Sequence, residues 1–233
     1  MHLRDISFPG PQENIAFDDV LLHLAEKEEA GEYLRFWESP VYFIVLGRIG
    51  RPEIDVNVLS VKKDDVPVLR RFSGGGTVVQ GPGCLNYTLV LSKEKYPELN
   101  DLRRSYQWIS LKVLEALRLS GVEAYFRPLS DLAAGPTEKK FSGNAQRRLK
   151  KYILHHGTIL YRFDLSLISR YLNMPVEVPD YRQGRSHADF VTNIPIDPAV
   201  FKSHLGEIFQ VTRCLPSARE LGLLKEFHEF REN

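Results

Sequence analysis

Cysteine is scarce: Cys84 and Cys214 are the only two in 233 residues, and neither belongs to a CxxC pair. A disulfide framework and a cysteine-built zinc site are thereby excluded. An excess of charge of one sign is also missing. Lys and Arg total 31 against 30 Asp and Glu, a formal net charge of +1, whereas a general nucleic-acid or membrane-surface binder carries a surplus of one sign. No nucleic acid and no membrane is expected among the partners. Long apolar runs are absent too: the longest is Val41 to Leu46, far short of the roughly 20 residues that span a bilayer. The opening MHLRDISFPG lacks the apolar stretch of a secretion signal, so a reducing, cytoplasmic setting is the expectation. What remains is globular composition, 43% hydrophobic and 11% aromatic, enough for one large domain with a real core.

Periodicity gives a coarse order of elements. Ala16, Val20, Leu21 and Leu24 form one stripe of a helix expected over residues 14–29, with its acids facing elsewhere. YLRFW and VYFIVLG read as strands split by Ser39-Pro40, GRIGRPEIDVN as a loop, and VPVLRRF, TVVQ and NYTLVLS as short strands between glycine-rich turns. Residues 101–120 bring Tyr106, Ile109, Val113 and Leu117 to one helical face, and Gly121 is placed to cap it. VEAYF reads as a strand, PLSDLAAGPTEKK as a loop, and FSGNAQ and KYILHHGTILYRF as strands around a basic turn. Asp164 and Pro198 mark two further helix starts, and the tail from Ser217 is again helical. Strands and helices are mixed without regular βαβ alternation, which indicates an α+β fold with helices on a largely antiparallel sheet.

Three segments concentrate chemistry. RRFSGGGTVVQGPG, residues 70–83, sets two arginines and a serine beside three consecutive glycines. Each glycine costs about 0.5–1 kcal/mol relative to alanine in regular structure, so the run implies close approach to the backbone. Its N–H groups suit a phosphate and its arginines suit bidentate contacts, but it is neither a Walker loop nor a Rossmann fingerprint. A tight hairpin turn with solvated arginines is the plainer alternative. KKFSGNAQRR, residues 139–148, repeats the Ser-Gly pair between bases, and a lysine there suits charge developing on a phosphate or acyl oxygen. A solvated basic turn is its alternative. His155-His156-Gly157 is the third, where paired histidines in a strand are more often structural than catalytic.

Taken in order, FWESPVYFIVLGR (36–48), RRFSGGGTVVQGPGCLNYTL (70–89), SDL (130–132), KKFSGNAQRR, HHGTIL (155–160), DLSLISRYLN (164–173) and VTNIP (191–195) resemble the lipoate–protein ligase A and biotin ligase superfamily, much more closely on the lipoate side. The resemblance implies a class II synthetase-like catalytic domain over 1–195 and a helical extension over 196–233 in place of a full accessory domain. It implies an ATP-dependent ligase that turns lipoate or octanoate into an acyl-adenylate and passes the acyl group to a lysine of a lipoyl acceptor domain. A separate accessory subunit is a possible further partner under it. By the family's pattern Lys140 is the essential lysine that contacts the carbonyl and phosphate oxygens of the intermediate. Arg71, Ser73, Gly74, Gly75, Gly76, Val78, Gln80 and Asn86 would bind the acyl-adenylate together with Ser142, Gly143, Ala145, His156 and Gly157. Asp131 matches an acid near the nucleotide, where Mg²⁺ would bridge to phosphate.

The chain departs from the pattern where many lipoate ligases have His-Asp and it has Gln80-Gly81, and where they have Asn and it has Cys84. Two rivals stay open. An octanoyl- or lipoyl-transferase of the same fold works through a cysteine thioester without ATP, and a non-catalytic lipoyl-binding module needs neither.

Overall fold

The computed structural model of the protein describes residues 1–232, and the side chains of residues 1–227. Asn233, the last residue of the expected extension, lies outside the described residues, as do the side chains from His228 onward. An eight-stranded mixed sheet runs through the molecule, most of its ladders antiparallel. Its central strands are β2 (Tyr33–Trp37), β6 (Cys84–Ser92), β10 (Tyr152–Leu160) and β9 (Lys139–Arg148), paired antiparallel in that order. Beyond β9 come β8 (Asp131–Ala134) and β7 (Ala124–Arg127); beyond β2 lie β1 (His2–Asp5) and β11 (Thr212–Arg213), both in parallel pairings. β3 (Phe43–Leu46), β4 (Val68–Arg70) and β5 (Val78–Gln80) form a separate three-stranded sheet.

Strand alternation gives the large sheet two unlike faces. Leu85, Tyr87, Leu89 and Leu91 of β6, with Ile153 and Ile159 of β10, point into the largest core. There they meet α4 (Leu102–Leu119) and α7 (Pro198–Ile208), whose Phe201 and Leu205 are fully buried. Thus α7, from the segment beyond residue 195, belongs to the main core. The other face carries Tyr33, Val90 and Leu154 at one end, covered by α1 (Pro11–Glu26) and α8 (Ala218–Glu232). At its other end Cys84 and Leu160 pack against the small sheet and α5 (Ser166–Tyr171). A strip between these two covers is where the chemistry-bearing segments gather.

Helix ends follow their local chemistry. α4 is capped by Asp101, which accepts the Arg104 N–H at 2.8 Å, and closed by Gly121 at φ +81°, with Val122 N–H reaching Leu117 O. α7 starts at Pro198 behind Asp197, and Asp164 accepts the Ser166 N–H at the head of α5. α1 begins three residues before the expected start, since Pro11 suits the first turn and Glu13 accepts the Gly10 N–H. The expected loop 47–57 runs into α2 (Pro52–Asp55), and α3 (Val58–Lys63) follows. The expected loop 128–140 contains β8, held by pairing with β9 and β7 where local propensity offers little. The strands β1 and β11 and the short α6 (His187–Phe190) complete the chain beyond what periodicity marks. Among the described residues no helix is long and apolar enough to cross a membrane.

Candidate active site

Register sets the site's floor. Arg35 of β2, Thr88 of β6, His156 of β10 and Ala145 of β9 are successive partners, so they form one row across four strands on the face covered in part by α1. The next row is Trp37, Asn86 and Thr158. From α1, Asp18 reaches down into the first row: it accepts Arg35 Nη1 at 2.6 Å on one oxygen, and Thr88 Oγ1 at 2.8 Å and His156 Nδ1 at 3.4 Å on the other. Burial would raise the Asp18 carboxyl, but the charge of Arg35 and the bonds from His156 and Thr88 outweigh it and hold it below the usual carboxylate range. Trp37, Ile15, Phe43 and Val45 form a small apolar cluster flanked by Leu69 and Val78 of the small sheet, and the Trp37 Nε1 has no hydrogen-bond partner there.

The triple-glycine turn hangs over this floor, and two arginines hold its shape. Arg71 is buried; its Nε donates to Ser73 Oγ at 2.9 Å and its Nη2 to the carbonyls of Gly74 and Gly76 at 2.7 and 2.8 Å. Burial pushes this guanidinium down to about 10. Arg70 does the same for the neighbouring turn, donating to the carbonyls of Gly47 and Gly50 at 2.9 and 2.8 Å. Both guanidiniums are therefore engaged with backbone; Arg71 is buried, against the alternative of a solvated arginine, while Arg70 stays exposed to solvent. Gly47 must be glycine, since a Cβ there would fall 2.0 Å from Gly75 O.

Three contacts seat the turn on the large sheet. Ser73 Oγ lies 2.7 Å from His156 Nε2, Phe72 lies under the guanidinium of Arg147 at 4.7 Å, and a Cβ built on Gly75 would be 3.6 Å from that of Ala145. Ala145 and Arg147 share a face of β9, as does Gly143. Lys140 is three residues from Gly143, an odd spacing that would place it on the opposite face of a regular strand. A bulge between β8 and β9, where Leu132 pairs with Ser142 and Ala133 with Lys140, resets the alternation. As a result the Lys140 ammonium comes within 3.2 Å of where a Gly143 Cβ would be. It pairs with Asp131 Oδ1 at 2.8 Å, and Asp131 Oδ2 accepts the Tyr181 phenol at 2.8 Å. The two glycine-bearing segments, some seventy positions apart, thus meet on one face of β9.

Not every expected residue faces this groove. Ser142 and Gly157 point to the opposite face, where Ser142 Oγ accepts from Asn144 and a Cβ on Gly157 would strike Asn144 Oδ1 at 1.8 Å. His155 lies on that face too, fully buried against Tyr87 and Tyr106 and pushed down to about 3 by burial. One histidine of the pair is structural and the other faces the groove, as alternation requires. Gln80 Oε1 accepts from Asn86 Nδ2 at 3.0 Å and from Cys84 Sγ at 3.2 Å, at the end of the groove beneath the small sheet. Asp18, Trp37 and Tyr181 belong to the surroundings of these residues through their contacts with His156, Val78 and Asp131, and were not among the expected site residues. Asn14 and Asp18, four apart and therefore on one helical face, were the available signal for the first of them.

A family model of the lipoyl protein ligase A/B catalytic domain matches residues 10–200. The chain belongs to this family. It is 34% identical over 164 residues to a protein of Mycoplasma pneumoniae described as a probable lipoate-protein ligase A, a match covering 70% of this chain and 46% of that one. The chain spans about half the length of the curated relatives it matches. The family fold extends to a structure from the analysis of an archaeal lipoylation system, a bipartite lipoate protein ligase and its E2 lipoyl domain from Thermoplasma acidophilum, at a TM-score of 0.83 and 23% identity over 98% of this chain and 91% of that one. A lipoate-protein ligase A bound with ATP superposes at a TM-score of 0.79 and 22% identity, over 98% and 94% of the two chains. The expected class, α+β with helices on a largely antiparallel mixed sheet, is the architecture found.

Proposed function

We propose that the chain is the catalytic domain of an ATP-dependent lipoate–protein ligase, with the helices beyond residue 195 an integral extension of it. The observation that carries this reading is the placing of the Lys140 ammonium beside Gly143 and of the triple-glycine turn over Ala145, two residues further along the same face of β9. A carboxylate is a poor acyl donor. Attack of lipoate's carboxylate oxygen on the α-phosphorus of ATP releases pyrophosphate and leaves a mixed anhydride, so the enzyme's task is alignment and charge stabilisation. The lipoyl chain lies along the floor between Trp37, Val78 and Ala145, beneath the glycine turn. Lys140 reaches the carbonyl and phosphate oxygens of the anhydride, and stabilises the oxyanion when the acceptor lysine's amine attacks and AMP leaves.

Mg²⁺ accompanies the nucleotide in this reading. Among the described residues no cluster of three His, Cys, Asp or Glu comes together, and Asp131, the groove's candidate acid, already binds Lys140 and Tyr181 with its two oxygens. These residues do not build a protein cage for the ion. The acceptor is a lipoyl domain, and a separate accessory subunit is a further partner in this reading.

The transferase alternative needs a reactive thiol. Cys84 is 1% exposed, burial pushes its thiol up, and it donates to Gln80, which suits a packing residue. Exchange of labelled pyrophosphate into ATP, run with and without candidate partner proteins, tests the proposal. Exchange that requires lipoate or octanoate supports it; none under either condition points to the transferase or the binding module.

A further inference from the structure

Asp18 lies outside the motifs that define the glycine turn and the lysine, yet donors from three adjacent strands converge on it. Its two oxygens divide the work. Oδ1 faces Arg35, which is also satisfied by Asn14 O at 2.7 Å and Asn14 Oδ1 at 3.0 Å. Oδ2 faces the groove and takes Thr88 and His156. An Arg–Asp pair kept only for packing would not need the second oxygen turned to the histidine.

The hydrogen bonds run in one direction. Arg71 Nε donates to Ser73 Oγ, so the Ser73 hydroxyl hydrogen is free to point at His156 Nε2. A carboxylate offers only acceptors, so the nitrogen facing Asp18 carries the proton. The neutral ring is then protonated on Nδ1 and bare on Nε2, which satisfies every member from Arg71 through Ser73 and His156 to Asp18. The other tautomer would set a bare nitrogen against the carboxylate.

We infer that Asp18 is a positioning residue for the acyl-binding groove: by fixing the His156 ring it fixes Ser73, and through Ser73 the seat of the glycine turn above β9. The consequence for substrate rests on the ligase reading, since it is the lipoyl chain that would run beneath that turn. Loss of Asp18 acts on the acid's site and not on the nucleotide's.

The test uses full-length protein and the Asp18→Asn variant. Ring ¹⁵N NMR, with His156→Gln to assign the signals, reads the tautomer without substrate; pyrophosphate exchange reads KM for lipoate and for ATP. The expected result is an Nδ1–H, bare-Nε2 ring in the parent, a shift toward the other tautomer in Asp18→Asn, and KM for lipoate raised about tenfold, as loss of one charged hydrogen bond would give. KM for ATP stays within about twofold. Thr88→Val leaves the ring spectrum unchanged. If Asp18→Asn does not fold because Arg35 is left uncompensated, Asp18→Asn with Arg35→Met removes both charges and is read the same way. An unchanged ring spectrum in a folded variant, or an equal rise in both KM values, overturns the inference. Absence of lipoate-dependent exchange in the parent protein defeats the ligase reading instead, and the ring spectrum still decides the coupling of Asp18 to His156.

Discussion

Gly75, at φ +83°, stands over Ala145 so closely that a Cβ on the glycine would lie 3.6 Å from the alanine methyl carbon. This approach separates the three consecutive glycines into two kinds. At Gly75 a side chain is opposed by the left-handed backbone and by Arg71 Nη2 at 3.1 Å; at Gly74 and Gly76 nothing lies within 4 Å and no left-handed φ is required. Gly75→Ala should therefore lower stability by about 1–2 kcal/mol and impair activity. Gly74→Ala and Gly76→Ala should leave stability within about 0.5 kcal/mol while raising KM for lipoate, because the open space beside them is where the acid would pass. Urea unfolding together with exchange kinetics checks all three. Unchanged kinetics at both 74 and 76 would mean that nothing approaches the turn.

The Lys140–Asp131–Tyr181 chain yields a graded series. Lys140→Ala should cut transfer to a lipoyl domain about 10²–10³-fold, the effect of losing one oxyanion donor. Its stability cost should be under about 1 kcal/mol, since the lysine is part exposed. Tyr181→Phe removes only the phenol's bond to Asp131 and leaves the Asp131–Lys140 pair, so its effect on transfer should be smaller, about tenfold or less. Single-turnover acyl transfer from preformed adenylate is the measurement. A larger loss in Tyr181→Phe than in Lys140→Ala would reverse the proposed roles.

Much of this was legible in the chain, for identifiable reasons. The strand YLRFW, the Gly121 cap, the triple-glycine turn and the strand FSGNAQ depend on neighbours in sequence, and they lie where periodicity and turn chemistry put them, whereas Lys139 and Lys140, expected in a loop, open β9. Asp18 was not legible. It sits on a helix whose apolar stripe set the acids apart from the buried face, but α1 is covered by the sheet on one side and α8 on another, so Asp18 and Asp19 are buried. Their partners, Arg35 and Arg147, lie 17 and 128 residues away, beyond any local pattern. The bulge that turns Lys140 into the groove is likewise a property of β8 meeting β9, and SDLAA alone carries no sign of it. The alternation of His155 and His156 did contain its answer, because two adjacent residues of one strand cannot share a face.

Cys84 separates ligase from transferase. The buried thiol donates to Gln80 and touches no exposed surface, so Cys84→Ser should keep lipoate-dependent exchange within a few-fold of the parent, at a stability cost of about 1–2 kcal/mol for a hydroxyl in an apolar corner. In the folded protein iodoacetamide should alkylate Cys214, which is part exposed, and spare Cys84. Loss of all acyl transfer in a folded Cys84→Ser protein would argue for a thioester route.

His155 predicts how stability responds to acid. Burial pushes its folded-state value down to about 3, while in the unfolded chain an imidazole titrates near 6.5. Between those values the unfolded state binds a proton that the native state does not, so stability falls as pH falls from about 6.5 toward 3. The contribution of one such group approaches about 1.4 kcal/mol per pH unit. Asp18, whose folded value is depressed, adds a loss of the same sign as pH falls through the carboxylate range. The slope between pH 6 and pH 5 separates histidines from carboxylates, which are still ionised there in both states, and the His155→Gln comparison separates His155 from the other histidines, among them His187, which burial also pushes down. His155→Gln lowers stability at neutral pH, where the ring's bonds to Gln146 and Asn144 are lost. Its urea midpoint should nevertheless change less than the parent's between pH 6 and pH 5. Parallel midpoint curves for the two proteins across that interval would show that His155 takes up its proton in the folded state.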